Sequence, residues 1–293
     1  MAKLREVKKR IKAVANIQRI TKTMQMIATA KFQASVRRTQ ATQPFTKKVA
    51  EIAGELAAAG GDIEHPLLKA PAKPTGRILV LVLTSNRGLA GAYNANTLRA
   101  ATAFLRQHSG KQIDLEVVGK KGTAFFRFSG RPVRKSHTHF TDKPAYEEVE
   151  KIAAQYIEEF ESGRYDGVYV TYTQFVSNAR QLPRVQQLLP MEPPKAAAGE
   201  KKKSAGYQPV YEFSPDPQTL LSALLPLTVK TQLFQAFNDA VVSEQIARMV
   251  AMKAATDNAQ KMGRGLRRQF NRARQAQITT ELTEIIGGAA ALQ

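Results

Sequence analysis

The sharpest constraint in this sequence is where it lacks helix breakers. Residues 1–60 hold only Pro44, Gly54 and Gly60, and residues 227–293 hold only Gly263, Gly265, Gly287 and Gly288. The other 25 of the 32 glycines and prolines lie in residues 61–226. Breaker-poor stretches of that length read as long helices, and the middle reads as a domain with many turns. A helix through residue 58 spans roughly 87 Å at about 1.5 Å per residue, and one from Leu227 to Ile286 roughly 90 Å. The first far exceeds the average globular helix, so ordinary core packing is not its expected purpose. Matched lengths at opposite chain ends point to one antiparallel pair with the middle domain at one end of it.

The periodicity agrees, with defects. Leu4, Val7, Ile11 and Val14 follow a 3-4-3 spacing. Ile17, Ile20, Met24 and Ile27 repeat it with a one-residue shift, which predicts a stammer in the coiled coil. Pro44 predicts a kink or break. In the last segment Phe234, Phe237, Val241, Ile246, Met249, Met262, Leu266, Phe270, Ile278, Leu282 and Ile285 form the predicted seam. Gly263 and Gly265 are its weak point, at about 1 kcal/mol each against Ala.

The middle alternates β and α. Arg77–Thr84 is a continuous apolar run, as for a strand covered on both faces. Strands are also expected at Ile113–Val118 and Gly167–Phe175, with helices at Asn94–His108 and Pro144–Phe160. This order predicts a small α/β domain with a mostly parallel sheet. Residues 190–206 read as a Lys-rich linker or insertion, and Tyr207–Phe213 as a further strand. The expected domains are 1–60, 61–216 and 217–293.

The chain of 293 residues carries 44 Lys and Arg against 24 Asp and Glu, a formal charge of +20. Residues 1–60 alone hold 13 basic and 3 acidic groups, half of that net charge. Such a chain needs an acidic partner, and nucleic acid is one candidate from charge alone. With no cysteine, disulfides, thiolate metal sites and thiol catalysis are excluded. No apolar run of about 18 residues offers a spanning helix. The charged start is unlike a signal peptide.

Chemical motifs are scarce. Leu83–Asn94 (LTSNRGLAGAYN) is a Gly-bearing turn after a strand, a place where a phosphate can sit, yet its spacing fits no phosphate-binding signature. It reads as a tight βα turn, with a nucleotide site as the alternative. Val118–Thr123 (VGKKGT) fails the same test and reads as a basic turn. His137 and His139 lack a third ligand and read as a surface strand or loop. The carboxylates of residues 147–161 spread around a helix as on a solvated face. No catalytic, cofactor-binding or metal-binding residue is expected.

Four segments carry a family resemblance: Arg10–Lys31 (RIKAVANIQRITKTMQMIATAK), Leu83–Asn94, Ser243–Asn258 (SEQIARMVAMKAATDN) and Asn271–Ala291 (NRARQAQITTELTEIIGGAAA). In order and across nearly the whole chain, they resemble the gamma subunit of F-type ATP synthases. The resemblance implies an α/β fold plus a long coiled coil: antiparallel terminal helices with a Rossmann-like α/β domain at the base. It implies a non-catalytic central-stalk rotor that couples ion-driven turning of a c-ring to the catalytic beta subunits. It implies alpha, beta, epsilon and c-ring partners, no cofactor and no nucleic acid. Membrane association is then peripheral, through the complex, at the cytoplasmic face of a bacterial cell inner membrane; a start directly at the family motif points the same way. A basic coiled-coil protein that binds nucleic acid is the alternative.

The resemblance also transfers residue roles. Met24 of ITKTMQM implies a contact with an acidic beta-subunit loop, against an equal reading as a seam residue. Arg274 and Gln275, with Thr279 one turn on, imply a second beta-subunit contact, for which the planar Arg fork is suited. Glu244 and Arg248 are implied in coupling. Tyr211, Phe213 and Ser214 align near the ring contact, with Ser214 standing where Glu is frequent. The Cys-bearing regulatory insertion of some photosynthetic members has no counterpart here.

Overall fold

The computed structural model describes residues 2–59, 65–69, 71, 74–191 and 217–290. Helix α1 runs Ala2–Ala59 and helix α5 runs Pro217–Ala290. Between them come β1 (Arg77–Leu83), α2 (Tyr93–Gln107), β2 (Gln112–Val118), α3 (Lys120–Phe128), β3 (Lys135–His137), α4 (Tyr146–Glu161), β4 (Gly167–Ser177) and β5 (Arg180–Leu189). The chain divides into two compact units, Lys31–Ala247 and the paired segments Met1–Ala30 with Arg248–Gln293.

In the larger unit a five-stranded sheet has the order β3-β2-β1-β4-β5. β1 pairs in parallel with β2 and β4, β3 pairs in parallel with β2, and β5 closes the sheet antiparallel to β4. β1 explains its own apolar run. Ile78, Val80 and Val82 pack under α2 and α3 with Leu98, Leu105 and Phe126. Leu79, Leu81 and Leu83 face the opposite layer, with Val149, Ile152 and Tyr156 of α4 and Leu221, Leu225, Val229 and Leu233 of α5. A strand buried on both faces cannot alternate polar and apolar residues.

Three elements depart from expectation. Lys120–Phe128 is helix α3, not merely a basic turn. β5 forms a hairpin with β4 that the sequence pattern does not announce. Pro44 does not break α1, and Pro226 lies inside α5 in the same way. Tyr207–Phe213 and the linker 192–206 lie outside the described residues.

The smaller unit holds an antiparallel helix pair. The Thr256 hydroxyl donates to the Thr21 hydroxyl at 2.9 Å, and Gly263 lies against Val14. The predicted stammer is absent. Among the described residues, the buried side chains of α1 are Val14, Thr21, Ala28, Ser35, Thr39, Val49 and Ala53, all on one heptad stripe, with Gly54 buried beside Ala53. Ile17, Ile20 and Ile27, expected in the seam, are 52%, 58% and 51% exposed. Small and hydroxylated residues allow close helix approach, and the bulky residues are left facing outward.

The β2–α3 corner depends on glycine. Gly119 sits at φ +95°, and a Cβ there would stand 2.3 Å from the Thr84 carbonyl oxygen. Gly119→Ala should therefore cost about 3 kcal/mol in chemical denaturation, from strain and overpacking together. Gly110→Ala, which meets nothing within 4 Å, should stay within about 0.5 kcal/mol of the parent.

Candidate protein-interaction site

The carboxyl ends of β1 and β2 are where an α/β sheet usually binds ligands. A cleft of about 300 Å³ lies there, lined in part by Thr84, Asn86, Arg87, Lys120, Asp142 and Glu244. Its phosphate-binding capacity is already spent. The first backbone N–H groups of α3 donate to protein acceptors: Lys120 to Asn86 Oδ1, Lys121 to the Ser85 carbonyl, Gly122 to Thr84 Oγ1 and Thr123 to the Gly119 carbonyl. Asn86 Nδ2 in turn donates to the carbonyls of Thr138 and Phe140. The TSN of LTSNRGLAGAYN is thus the internal cap of α3, and a phosphate would have to displace it.

The histidine pair also resolves into structure. His137 is buried rather than on the surface, with Nε2 3.0 Å from Glu116 Oε2. Tyr156 donates its hydroxyl to the same oxygen at 2.8 Å. Burial pushes the Tyr156 hydroxyl well above its ordinary value, with the adjacent Glu116 charge adding to it. Arg134 bridges Glu159 and the Tyr165 hydroxyl, which donates to Asp114. Glu159, placed on a solvated face by sequence, is held below the usual carboxylate range by its hydrogen bond from Arg134. Among the described residues no group of three His, Asp or Glu could hold a metal ion.

A second buried carboxylate, Asp239, lies under the β4–β5 hairpin. It accepts from Gln235 Nε2 at 2.9 Å and from the Phe175 backbone N–H. Gln235 Oε1 accepts from Thr42 of α1 at 3.2 Å. Desolvation raises the Asp239 carboxyl from 3.8 to about 6. The folded state therefore binds this proton more tightly than the unfolded state, and stability falls as pH rises from about 4 to about 6, then levels off.

What remains available is surface. Met24 is half-exposed on α1, and Ile17, Ile20, Met26 and Ile27 lie exposed near it in sequence. Arg274, Gln275 and Thr279 are all exposed on α5, with the Thr279 hydroxyl donating to the Gln275 carbonyl. Met262, Ile278, Leu282, Ile285 and Ile286 are exposed as well, so the seam expected over the last three turns does not exist. The reason is length: α5 has 74 residues and α1 has 58. From residue 274 to 289, only residue 277 is not exposed. Glu244 is half-buried at the cleft, and Arg248, one turn on, is 8% exposed, so neither is an open contact residue in the chain by itself. Tyr211, Phe213 and Ser214 lie outside the described residues.

An exposed helical end rich in Ile and Leu is not stable in water alone and calls for a partner. Replacing Ile17, Ile20 and Ile27 together by Gln should leave the melting point of the isolated chain nearly unchanged, within about 0.5 kcal/mol per site. A large loss would place these residues in a core. Asp239→Asn should flatten the pH dependence of stability between about 4 and 6, read from urea midpoints. An unchanged slope would assign the titration elsewhere.

Comparison with known proteins extends over the whole chain. The sequence profile of a family described as ATP synthase matches residues 3–292. The chain is 41% identical over 300 residues to the ATP synthase gamma chain of Rhodopirellula baltica, covering 100% of each. It is 40% identical over 308 residues to that of Saccharopolyspora erythraea, covering 100% of this chain and 98% of the other. In structure it is similar to a chain of the Euglena gracilis mitochondrial ATP synthase OSCP/F1/c-ring assembly, with a TM-score of 0.68, 21% identity and coverage of 99% and 95%. A chain of the Tetrahymena thermophila central stalk and c-ring matches with a TM-score of 0.57, 22% identity and coverage of 80% and 99%.

Proposed function

The chain belongs to the ATP synthase gamma-chain family, and we propose that it is the rotating central stalk of an F-type ATP synthase, catalysing no reaction itself. The observation that carries this reading is the exposed end of α5, from residue 274 to 289. A helix end whose Ile278, Leu282, Ile285 and Ile286 face water is built to be enclosed by other subunits. Its partners in this reading are the alpha and beta subunits around the helices, and the c-ring and epsilon subunit at the α/β domain. The +10 of residues 1–60 then meets acidic protein surface rather than nucleic acid phosphate. Among the described residues no helix is long and apolar enough to cross a membrane. Attachment at the cytoplasmic face of a bacterial cell membrane would therefore run through the c-ring.

The mechanism is a population shift. A face of the shaft drives a catalytic subunit between states only through differential contact energy with those states. Moving a subunit from a 1:99 to a 99:1 population takes about 5.5 kcal/mol. A few exposed hydrogen bonds from Arg274, Gln275 and Thr279 do not supply that alone. The enclosed apolar faces and the torsional resistance of the helices carry the rest. Met24, Arg274, Gln275 and Thr279 are the proposed beta-subunit contacts. Glu244, half-buried, and Arg248, buried, are the proposed coupling residues, and Tyr211, Phe213 and Ser214 form the proposed c-ring foot.

Reconstitution with purified alpha and beta subunits tests the reading: the chain should restore ATP hydrolysis to a mixture of the two. A mixture that stays inactive, or an active one that excludes the chain, would sink it. Arg274→Ala should lower ATP-driven ion pumping on the order of tenfold, the scale of one charge-assisted hydrogen bond, while leaving the melting point of the isolated chain unchanged.

A further inference from the structure

The two helices are fastened to the α/β domain by different means. α5 buries Leu221, Leu225, Val229, Leu233, Ala236 and Phe237 in the main core. Over residues 31–46, α1 instead buries Ser35 and Thr39, with Thr42 and Thr46 half-buried. Small hydroxylated residues make shallow ridges, and shallow ridges offer little resistance to rolling or sliding. Apart from the edge-on contact of Phe32 with Phe175 and the burial of Ala53 in the main core, side-chain interlock gives α1 little hold against a twisting load.

The β3–α4 loop supplies it. Lys31 of α1 donates to Asp142 Oδ2, and Gln245 of α5 donates to Asp142 Oδ1 at 3.1 Å. Arg38, two turns along α1 from Lys31, reaches the Asp142 carbonyl at 3.5 Å. One residue thus ties α1 at two points and α5 at a third. The loop is itself anchored. Asn86 holds the carbonyls of Thr138 and Phe140, and the Phe140 ring packs 4.8 Å from that of Phe237. Lys31 is also the first residue of the larger unit on α1, and Gln245 is close to its last on α5. The tie lies wholly within the larger unit, at the ends of its stretches of α1 and α5.

We propose that Asp142 is a positioning residue for torque: it locks the rotational register of α1 and α5 on the α/β domain, so that twist entering that domain passes to both helices together. The proposal rests on the reading of the chain as the rotor. Lys31 and Asp142 are about a third exposed, so the ion pair alone contributes little to folding. Its value lies in direction, because charge-assisted hydrogen bonds from opposite helices to one carboxylate oppose shear that apolar contacts between small residues permit.

The test uses the complete synthase in membrane vesicles, scored for ATP hydrolysis and for ATP-driven ion uptake. Asp142→Ala should assemble and hydrolyse ATP within about twofold of the parent, yet take up on the order of tenfold fewer ions per ATP. The charge swap Lys31→Glu with Asp142→Lys should recover much of the uptake. Full uptake in Asp142→Ala, or a swap no better than that variant, overturns the proposal. Should Asp142→Ala prevent assembly, the deciding variant is Lys31→Ala with Gln245→Ala, which leaves the loop intact. Reduced uptake with retained hydrolysis supports the clamp there; full uptake, or failure to assemble, overturns it in favour of a merely structural role. Failure of the unsubstituted chain to support any coupled uptake would instead overturn the rotor reading.

Discussion

The rest of the molecule depends on the burial of one face of α5 across the sheet. Leu221, Leu225, Val229, Leu233, Ala236, Phe237 and Ala240 recur at three- and four-residue spacing, and each is nearly or wholly buried. Burying a Leu or Val of this kind contributes about 1.5–3 kcal/mol before chain entropy is counted. That face makes α5 part of the domain's core rather than an appendage to it. The helix can then run on past residue 247 without losing its footing, because its fixed half is held by the same side chains that hold the sheet together.

The α/β domain has the architecture of a ligand-binding fold and puts its polar groups to internal use. Thr84, Ser85 and Asn86 cap α3, and Asn86 holds the following loop. The buried Glu116 and the half-buried Asp114 are engaged by His137, Tyr156 and Tyr165. A nucleotide-binding descendant of this fold would need those amides and carboxylates free. Fold alone does not decide function, and here the site-level chemistry turns inward to make the domain rigid.

Much of this is readable from residue order. The breaker map locates both long helices, and the run Arg77–Thr84 locates the central strand with its two covered faces. The illegible parts share a physical cause: they are settled by partners distant in sequence. α3 is hidden because its cap is supplied 34 and 38 residues away, by Asn86 and Thr84. His137 looks like a surface residue because nothing near it announces Glu116 and Tyr156. The α1 seam misleads because hydrophobicity is not the sign of burial there. Thr21, Ala28 and Ser35 are inside and Ile17, Ile20 and Ile27 outside, the inversion expected when a helix has two partners and one belongs to another chain. Met24, Arg274, Gln275 and Thr279 are candidates by resemblance, since exposed positions carry no internal trace of what they touch.

The uncovered end of α5 has a bearing on the life of the chain before assembly. A lone helix with Ile285 and Ile286 69% and 66% exposed frays readily, and it presents to the cell what a misfolded protein presents: loose backbone beside apolar side chains. Proteases and chaperones act on that signature regardless of its origin. An unassembled copy is therefore short-lived by construction, and its abundance follows the number of collars ready to receive it. The surface that serves as a bearing in the finished machine serves beforehand as a timer on the orphan.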